Sequence, residues 1–166
     1  KACTVACKAE NLVPLGAENY RNWVTEERLR GSYPRLGQDF TPGQCMQCGN
    51  TPCERVCPTR ATGVGSGGII TVEAKKCIGC KYCMTACPYN ARYYNEETGA
   101  VDKCTFCAHR IAQGRPPACV ETCPTKVRTF GDLNDPDSAV SRLLLKNPHR
   151  VLKPEMGTKP FLFYLI

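Results

Sequence analysis

Fourteen cysteines in 166 residues constrain this chain more than anything else in it, and their spacing matters more than their number. They fall as Cys3 and Cys7; Cys45, Cys48, Cys53 and Cys57; Cys77, Cys80, Cys83 and Cys87; Cys104, Cys107, Cys119 and Cys123. Disulfides suit small secreted domains. Repeated Cys-x2-Cys and Cys-x3-Cys pairs, however, force neighbouring thiols together, where long-range bridging would stabilise more. Structural zinc favours paired Cys-x2-Cys knuckles, yet it gains nothing from a third cysteine three residues on. Iron–sulfur clusters do. In CIGCKYCMTACP (77–88), three thiolates at three-residue intervals wrap one corner of a cubane, with Gly79 letting the backbone close in. Cys87 lies one helical turn beyond Cys83, on the same face but about 6 Å along the axis, and Pro88 ends the turn.

The device recurs with altered gaps. CMQCGNTPCERVCP (45–58) is C-x2-C-x4-C-x3-C-P, and CTFCAHRIAQGRPPACVETCP (104–124) is C-x2-C-x11-C-x3-C-P. Cys3 and Cys7 have the spacing of a third and fourth ligand, with Lys8 in place of the proline. If this first motif follows the pattern of the third, two more cysteines precede Lys1. Sixteen thiolates then serve four [4Fe–4S] clusters, three of them ligated fully by the chain as given. The run at 77–88 resembles that of bacterial ferredoxins, in which the fourth cysteine of a motif binds the neighbouring cluster.

Only 42% of residues are hydrophobic, against 14 glycines and 13 prolines, so a thin apolar core needs another cross-link. The formal charge is +7, but each four-thiolate cluster carries roughly −2, and the basic residues are scattered. They read as compensation for buried anions, and no nucleic-acid partner is expected. FLFYLI (161–166) is far shorter than the roughly 18 residues of a membrane span, so the chain is expected to have no span of its own.

GVGSGG (63–68) lacks the Gly-Lys-Ser/Thr of a phosphate loop and reads as the turn before a strand at 69–72. A second hairpin is predicted with strands at 92–94 and 100–102. Asp135 is the expected N-cap of a helix with Pro136 in its first turn, an apolar face of Val140, Leu143 and Leu144, and a stop at Asn147-Pro148. Residues 9–44, with Tyr20, Trp23, Tyr33 and Phe40, read as an insertion packed over the clusters or against a partner, with plain core packing as the default. His109 is expected at the surface or behind a ligand, and no catalytic residue is predicted.

Four motifs in this order, the second with its x4 gap and the fourth with its long loop, resemble a known family. They are similar to the four-cluster electron-transfer subunits of the molybdopterin oxidoreductase (dimethyl sulfoxide reductase) superfamily. DKCTFCAHR, PACVETCPT, FGDLNDPDS and LKPEMGTKPFLFYL are most similar to the polysulfide, thiosulfate and tetrathionate reductase iron–sulfur subunits, with the NrfC type a near relative. That resemblance implies an α+β, loop-rich, duplicated ferredoxin-like fold with insertions. Its inner module is 45–103, and its outer module is 1–44 with 104–166.

The resemblance also implies shared clusters: Cys45, Cys48, Cys53 with Cys87; Cys77, Cys80, Cys83 with Cys57; Cys104, Cys107, Cys119 with Cys7; and Cys3 and Cys123 in the fourth. Spacing alone leaves this nesting open, because the gaps 57–77 and 87–104 both allow either pairing. The implied partners are a catalytic subunit carrying a molybdenum or tungsten bis-pterin cofactor and a quinol-binding membrane anchor, on the periplasmic side. The implied work is electron relay in a sulfur-compound reductase. The alternatives are a free-standing polyferredoxin, a zinc-stabilised binding module, or the relay of a nitrite-linked, arsenate or formate enzyme.

Overall fold

The computed structural model describes all of residues 1–166, as short helices and two-stranded ribbons. A lone two-stranded ribbon is at best marginally stable in water, so each of these must lean on a shared centre. That centre is small. Cys45, Met46, Tyr89, Ala91 and Cys104 form one buried cluster, and Cys53, Cys83 and Val101 form another. Cysteine thus occupies positions that a larger domain would fill with leucine or isoleucine.

The helix α1 (Ala2–Glu10) carries buried Cys3 and Cys7. Next comes a ribbon of β1 (Asn22–Glu26) and β4 (Phe40–Gln44), with β2 (Arg30–Ser32) and β3 (Arg35–Gly37) paired at its tip. In the centre of the chain one pattern is written twice, 30 residues apart. A one-turn helix, α2 (Pro52–Arg55) or α3 (Tyr82–Thr85), opens beside the third cysteine of its motif. The last cysteine and its proline follow, and then a residue with left-handed backbone, Arg60 (φ 53°) or Asn90 (φ 51°). Each unit then enters a hairpin: β5 (Thr62–Val64) with β6 (Ile70–Val72), and β7 (Arg92–Asn95) with β8 (Ala100–Lys103).

The second hairpin falls where the sequence puts it, each strand one residue longer at its C-terminal end. In the first, the strand begins at Ile70 rather than Ile69, and Gly63 and Val64, read as turn, belong to its partner strand. Ser66–Gly68 forms the turn, with Gly67 and Gly68 at positive φ that other residues rarely adopt. In the second turn the Asn95 carboxamide oxygen accepts the amides of Glu97 and Thr98.

The last cysteine motif holds two further single turns, α4 (Ala108–Ile111) and α5 (Ala118–Glu121). α1 packs on α5, and α2 packs on α3. The fold closes with α6 (Ala139–Lys146) and the short pair β9 (His149–Arg150) and β10 (Tyr164–Leu165). The cap of α6 is Ser138, whose hydroxyl accepts the amide of Ser141, and not Asp135. The Asp135 carboxylate is already taken by the amide of Asp137 in a tight local turn, which delays the helix by one turn. No helix is long and apolar enough to cross a membrane.

Of the aromatic residues in 9–44, Trp23 lies against the Met46–Tyr89 core with Tyr20 edge-on to it at 5.5 Å, while Tyr33 and Phe40 are exposed on the ribbon's outer part. Trp23 sits opposite Gly43 in the register, and a Cβ at Gly43 would stand 2.4 Å from the indole. The ribbon therefore docks only if position 43 has no side chain. Gly43→Ala is expected to cost about 1–3 kcal/mol, as overpacking does, and to lower the midpoint of thermal unfolding. An unchanged midpoint would mean that Trp23 does not hold the ribbon base.

Candidate metal centres

The thiols gather across motifs as well as within them. Burial pushes the Cys48 thiol up to about 11 against a hydrogen bond from Thr158, and the charges of Cys45, Cys53 and Cys87 add to the rise. Cys87 therefore belongs beside the first three cysteines of the second motif. Burial also raises Cys83, Arg92 opposes it, and the charges of Cys77 and Cys57 add to the rise. Cys57, Cys77, Cys80 and Cys83 line one small cavity with Thr62 and Val101. The last cysteines of motifs two and three have thus changed places.

A third group surrounds Cys7, pushed up to about 12 by burial and then by Cys107 and Cys119. The Asn11 amide reaches Cys7 Sγ at 3.7 Å and Cys107 Sγ at 3.5 Å. Cys119 is raised by burial, and the charges of Cys107 and Cys3 add to that. Buried Cys104 feels both Cys45 and Cys7, so it stands between the first group and the third. Cys123 lies partly open.

Two cysteines are treated differently from the rest. Burial raises Cys57, but the amides of Thr62, Ala61 and Thr59 and the Thr59 hydroxyl outweigh it, and the thiol ends below its ordinary value. Cys123 repeats this with the Thr125 hydroxyl and the amides of Val127, Thr125 and Arg128. The cause is local: Cys-Pro-Thr at 57–59 and 123–125, followed by left-handed Arg60 and Lys126, curls successive amides around the sulfur. Sequence reasoning missed these cradles, although the repeated Cys-Pro-Thr was their signal.

It also missed the buried cations. The buried charged residues are all cationic: Arg92, Lys103 and Arg110. Arg92 donates to Cys53 Sγ at 2.9 Å and to Thr62 Oγ1 at 3.1 Å. Lys103 is fully enclosed and donates to the carbonyls of Ile70 and, at 2.9 Å, Cys104. Gln47 braces the same spot, donating to the Cys104 carbonyl at 2.8 Å and accepting the Ile70 amide at 2.8 Å.

This donor set suits a cluster better than a single ion. All fourteen thiols are free, and no three metal-binding side chains approach closely enough to share one ion. Zinc–sulfur bonds of about 2.3 Å would bring thiolates to about 3.8 Å of one another. A cubane instead holds its thiolates apart on separate corners, near enough to repel and too far to touch. Thiols raised by burial and by one another need metal cations before they ionise. The Nη2 of Arg128 is buried without a partner, a donor free for an inorganic sulfide. Such thiols, cations and amide cradles define an iron–sulfur electron carrier, and no irons are left open for bond-making when every one is capped by thiolate.

Comparison with known proteins agrees. Residues 36–133 match the 4Fe-4S dicluster domain family. The chain is 45% identical to the B-subunit of tetrathionate reductase from Salmonella typhimurium, over 99% of its own length and 66% of the relative's. It is 43% identical to the B-chain of polysulfide reductase from Wolinella succinogenes, over 98% and 85%, and 42% identical to NrfC of Escherichia coli, over 98% and 73%. This chain is a member of the 4Fe-4S dicluster domain family and belongs among the iron–sulfur electron-transfer subunits of reductases. Its cofactor is the [4Fe–4S] cluster.

Away from the thiols, Glu10 ties α1 to the fourth motif. It takes His109 Nε2 at 2.8 Å and Arg110 Nη1 at 2.7 Å, and Arg110 also reaches Glu121. His109 is thus partnered by a carboxylate at the surface. Hydrogen bonds from His109 first, then Arg110, hold the Glu10 carboxyl below its ordinary value of 4.5. A depressed value means that the tie contributes fully above pH 4.5 and fades as pH falls through the lower folded value. Glu10→Ala is expected to raise amide hydrogen exchange in α1 several-fold while leaving β7 and β8 unchanged. Exchange in α1 at the parent rate would remove Glu10 from this role.

Proposed function

We propose that the chain is a relay of four [4Fe–4S] clusters, three of them held by complete sets of its own cysteines. The sets are Cys45, Cys48, Cys53 with Cys87; Cys77, Cys80, Cys83 with Cys57; and Cys104, Cys107, Cys119 with Cys7. Cys3 and Cys123 belong to the fourth. The observation that carries this reading is the exchange of last cysteines: Cys87 bears on Cys48, and Cys57 on Cys83. Two clusters that swap one ligand each are neighbours by construction, which is what electron hopping requires.

The duplicated ferredoxin-like architecture goes with it, as an inner module of residues 45–103 and an outer module of 1–44 with 104–166. Support comes from the twice-written helix and hairpin and from the packing of α2 on α3 and of α1 on α5. The chain's own residues hold the clusters, exclude water from them and set the charge around them.

In this reading electrons pass between a quinol-oxidising membrane subunit and a molybdopterin catalytic subunit on the periplasmic side of the membrane. The terminal acceptor is a sulfur compound. Support for the partners and the acceptor is the likeness to the tetrathionate and polysulfide reductase subunits.

Iron and acid-labile sulfide, measured on protein purified without air, are expected to reach at least about twelve of each per chain. Iron near zero would end the reading. Ligand exchange has its own test in electron paramagnetic resonance. Cys53→Ser and Cys87→Ser are expected to alter the same cluster signal, and Cys57→Ser and Cys83→Ser a different one. If Cys53→Ser and Cys57→Ser instead alter one signal together, the sets are not exchanged.

A further inference from the structure

We propose that the outer part of the β1–β4 ribbon, residues 25–40, is an arm that docks this chain onto its catalytic partner subunit, in an apolar recess rimmed by carboxylates. The partner comes from the relay reading given above, on which this assignment rests. From Thr25 to Phe40 every residue is exposed. A lone ribbon is at best marginally stable in water, and this one is fastened at its base. There Trp23 packs over Gly43, Asn22 donates to the Cys3 carbonyl at 3.2 Å, and Tyr164 donates to the Pro42 carbonyl at 2.7 Å. Lys1 pairs with Glu26 at 2.8 Å. Beyond Glu26 the side-chain hydrogen bonds stay within the ribbon.

The arm carries uncovered apolar side chains: Leu29, Leu36, Phe40 and, at the tip, Tyr33, which is 89% exposed. In the register Leu36 lies opposite Gly31, where a Cβ would stand 2.1 Å from the Arg35 carbonyl oxygen. No side chain can therefore shield Leu36 from across the ribbon. Arg35 pairs with Ser32, two residues from Arg30, so both arginines share the opposite face. The arm's carboxylates are all engaged within the chain: Glu26 by Lys1, Asp39 by Arg30, and Glu27 by the Thr41 hydroxyl at 3.3 Å. Arg28 and Arg35 are exposed and take part in no ion pair.

Two free guanidiniums beside Tyr33 and Leu36 fit carboxylates around an apolar recess. Arginine pairs bidentately with carboxylate, and Tyr and Arg are the side chains that most often anchor protein interfaces. An anionic bilayer is the poorer fit, because it takes clusters of about four to eight basic residues. The dicluster-domain match starts at residue 36, so the ascending half of the arm lies outside it. The alignments with the tetrathionate and polysulfide reductase subunits nevertheless span 99% and 98% of this chain. The arm thus belongs to what the chain has in common with those subunits beyond the cluster domain. With every iron capped by thiolate, reduction of a substrate falls to another chain, so a catalytic subunit is the partner this one cannot lack.

The test measures binding of the cluster-loaded, full-length chain to the purified catalytic subunit of the same complex, by sedimentation velocity. Arg28→Glu with Arg35→Glu is expected to weaken the association at least about tenfold, and Tyr33→Ser with Leu36→Ser to do the same. Both double variants should keep the parent's iron content and electron paramagnetic resonance signals. Benzoylphenylalanine in place of Tyr33 should cross-link to the catalytic subunit on irradiation of the whole complex. Parent affinity in both double variants, or cross-links to the membrane subunit or to lipid instead, would overturn the assignment. So would loss of iron from either variant, because the arm would then be part of the cluster scaffold. A parent chain without iron, or with no affinity for the catalytic subunit, would sink the relay reading itself and the docking arm with it.

Discussion

Burying thiolates is expensive, and this protein buries many of them with little apolar material around them. Cys7 and Cys104 are raised by lost solvation and then by neighbouring thiols, Cys7 by Cys107 and Cys119 and Cys104 by Cys45. Three devices offset that penalty. Metal cations would supply most of the compensation, amides curled around Cys57 and Cys123 supply hydrogen bonds, and Arg92 supplies fixed positive charge. The formal excess of +7 is consistent with this: all the buried charged residues are cationic.

The same constraint explains the thinness of the scaffold. Ribbons of two to five residues per strand and helices of a single turn cannot stand alone, and here they serve to aim sulfur atoms. The hydrophobic clusters are built partly of the cysteines themselves. Stability and cofactor binding are then linked, because removing metal would leave protonated thiols around an unfilled space where a packed core should be. Met46, Tyr89 and Trp23 close one side of that centre, and Gln47 ties two of its strands through the Ile70 amide and the Cys104 carbonyl.

Much of this was legible in the residues, and the failures are instructive. Both central hairpins could be read because β-branched or aromatic runs stand next to glycine-rich or Asn-containing turns. The ribbon of 22–44 could not. Its strands include Pro42 and Gly43, much of its length is exposed, and the reason for Gly43 is an indole twenty residues away in the sequence. The cap of α6 was misplaced because Asp135 and Ser138 are both good caps, and only the local turn at Asp137 decides between them. Arg92, Lys103 and Arg128 escaped notice because scattered basic residues look like a solvated surface. Only their distance from a cysteine motif, five residues in two of the three cases, marks them out.

The packing of α1 on α5 has a consequence for the order in which the protein can be made. The helix that carries Cys3 and Cys7 leaves the ribosome ahead of the other three motifs, yet its neighbours on the fourth are synthesised more than a hundred residues later. The inner hairpins, in contrast, join strands that follow each other directly, Thr62 pairing with Val72 and Arg92 with Lys103, and can form while synthesis is still under way. Assembly therefore runs from the middle outward. During synthesis α1 can rest on β1, through Asn22 on the Cys3 carbonyl, but its thiols meet their neighbours on the fourth motif only when residues 107–121 arrive.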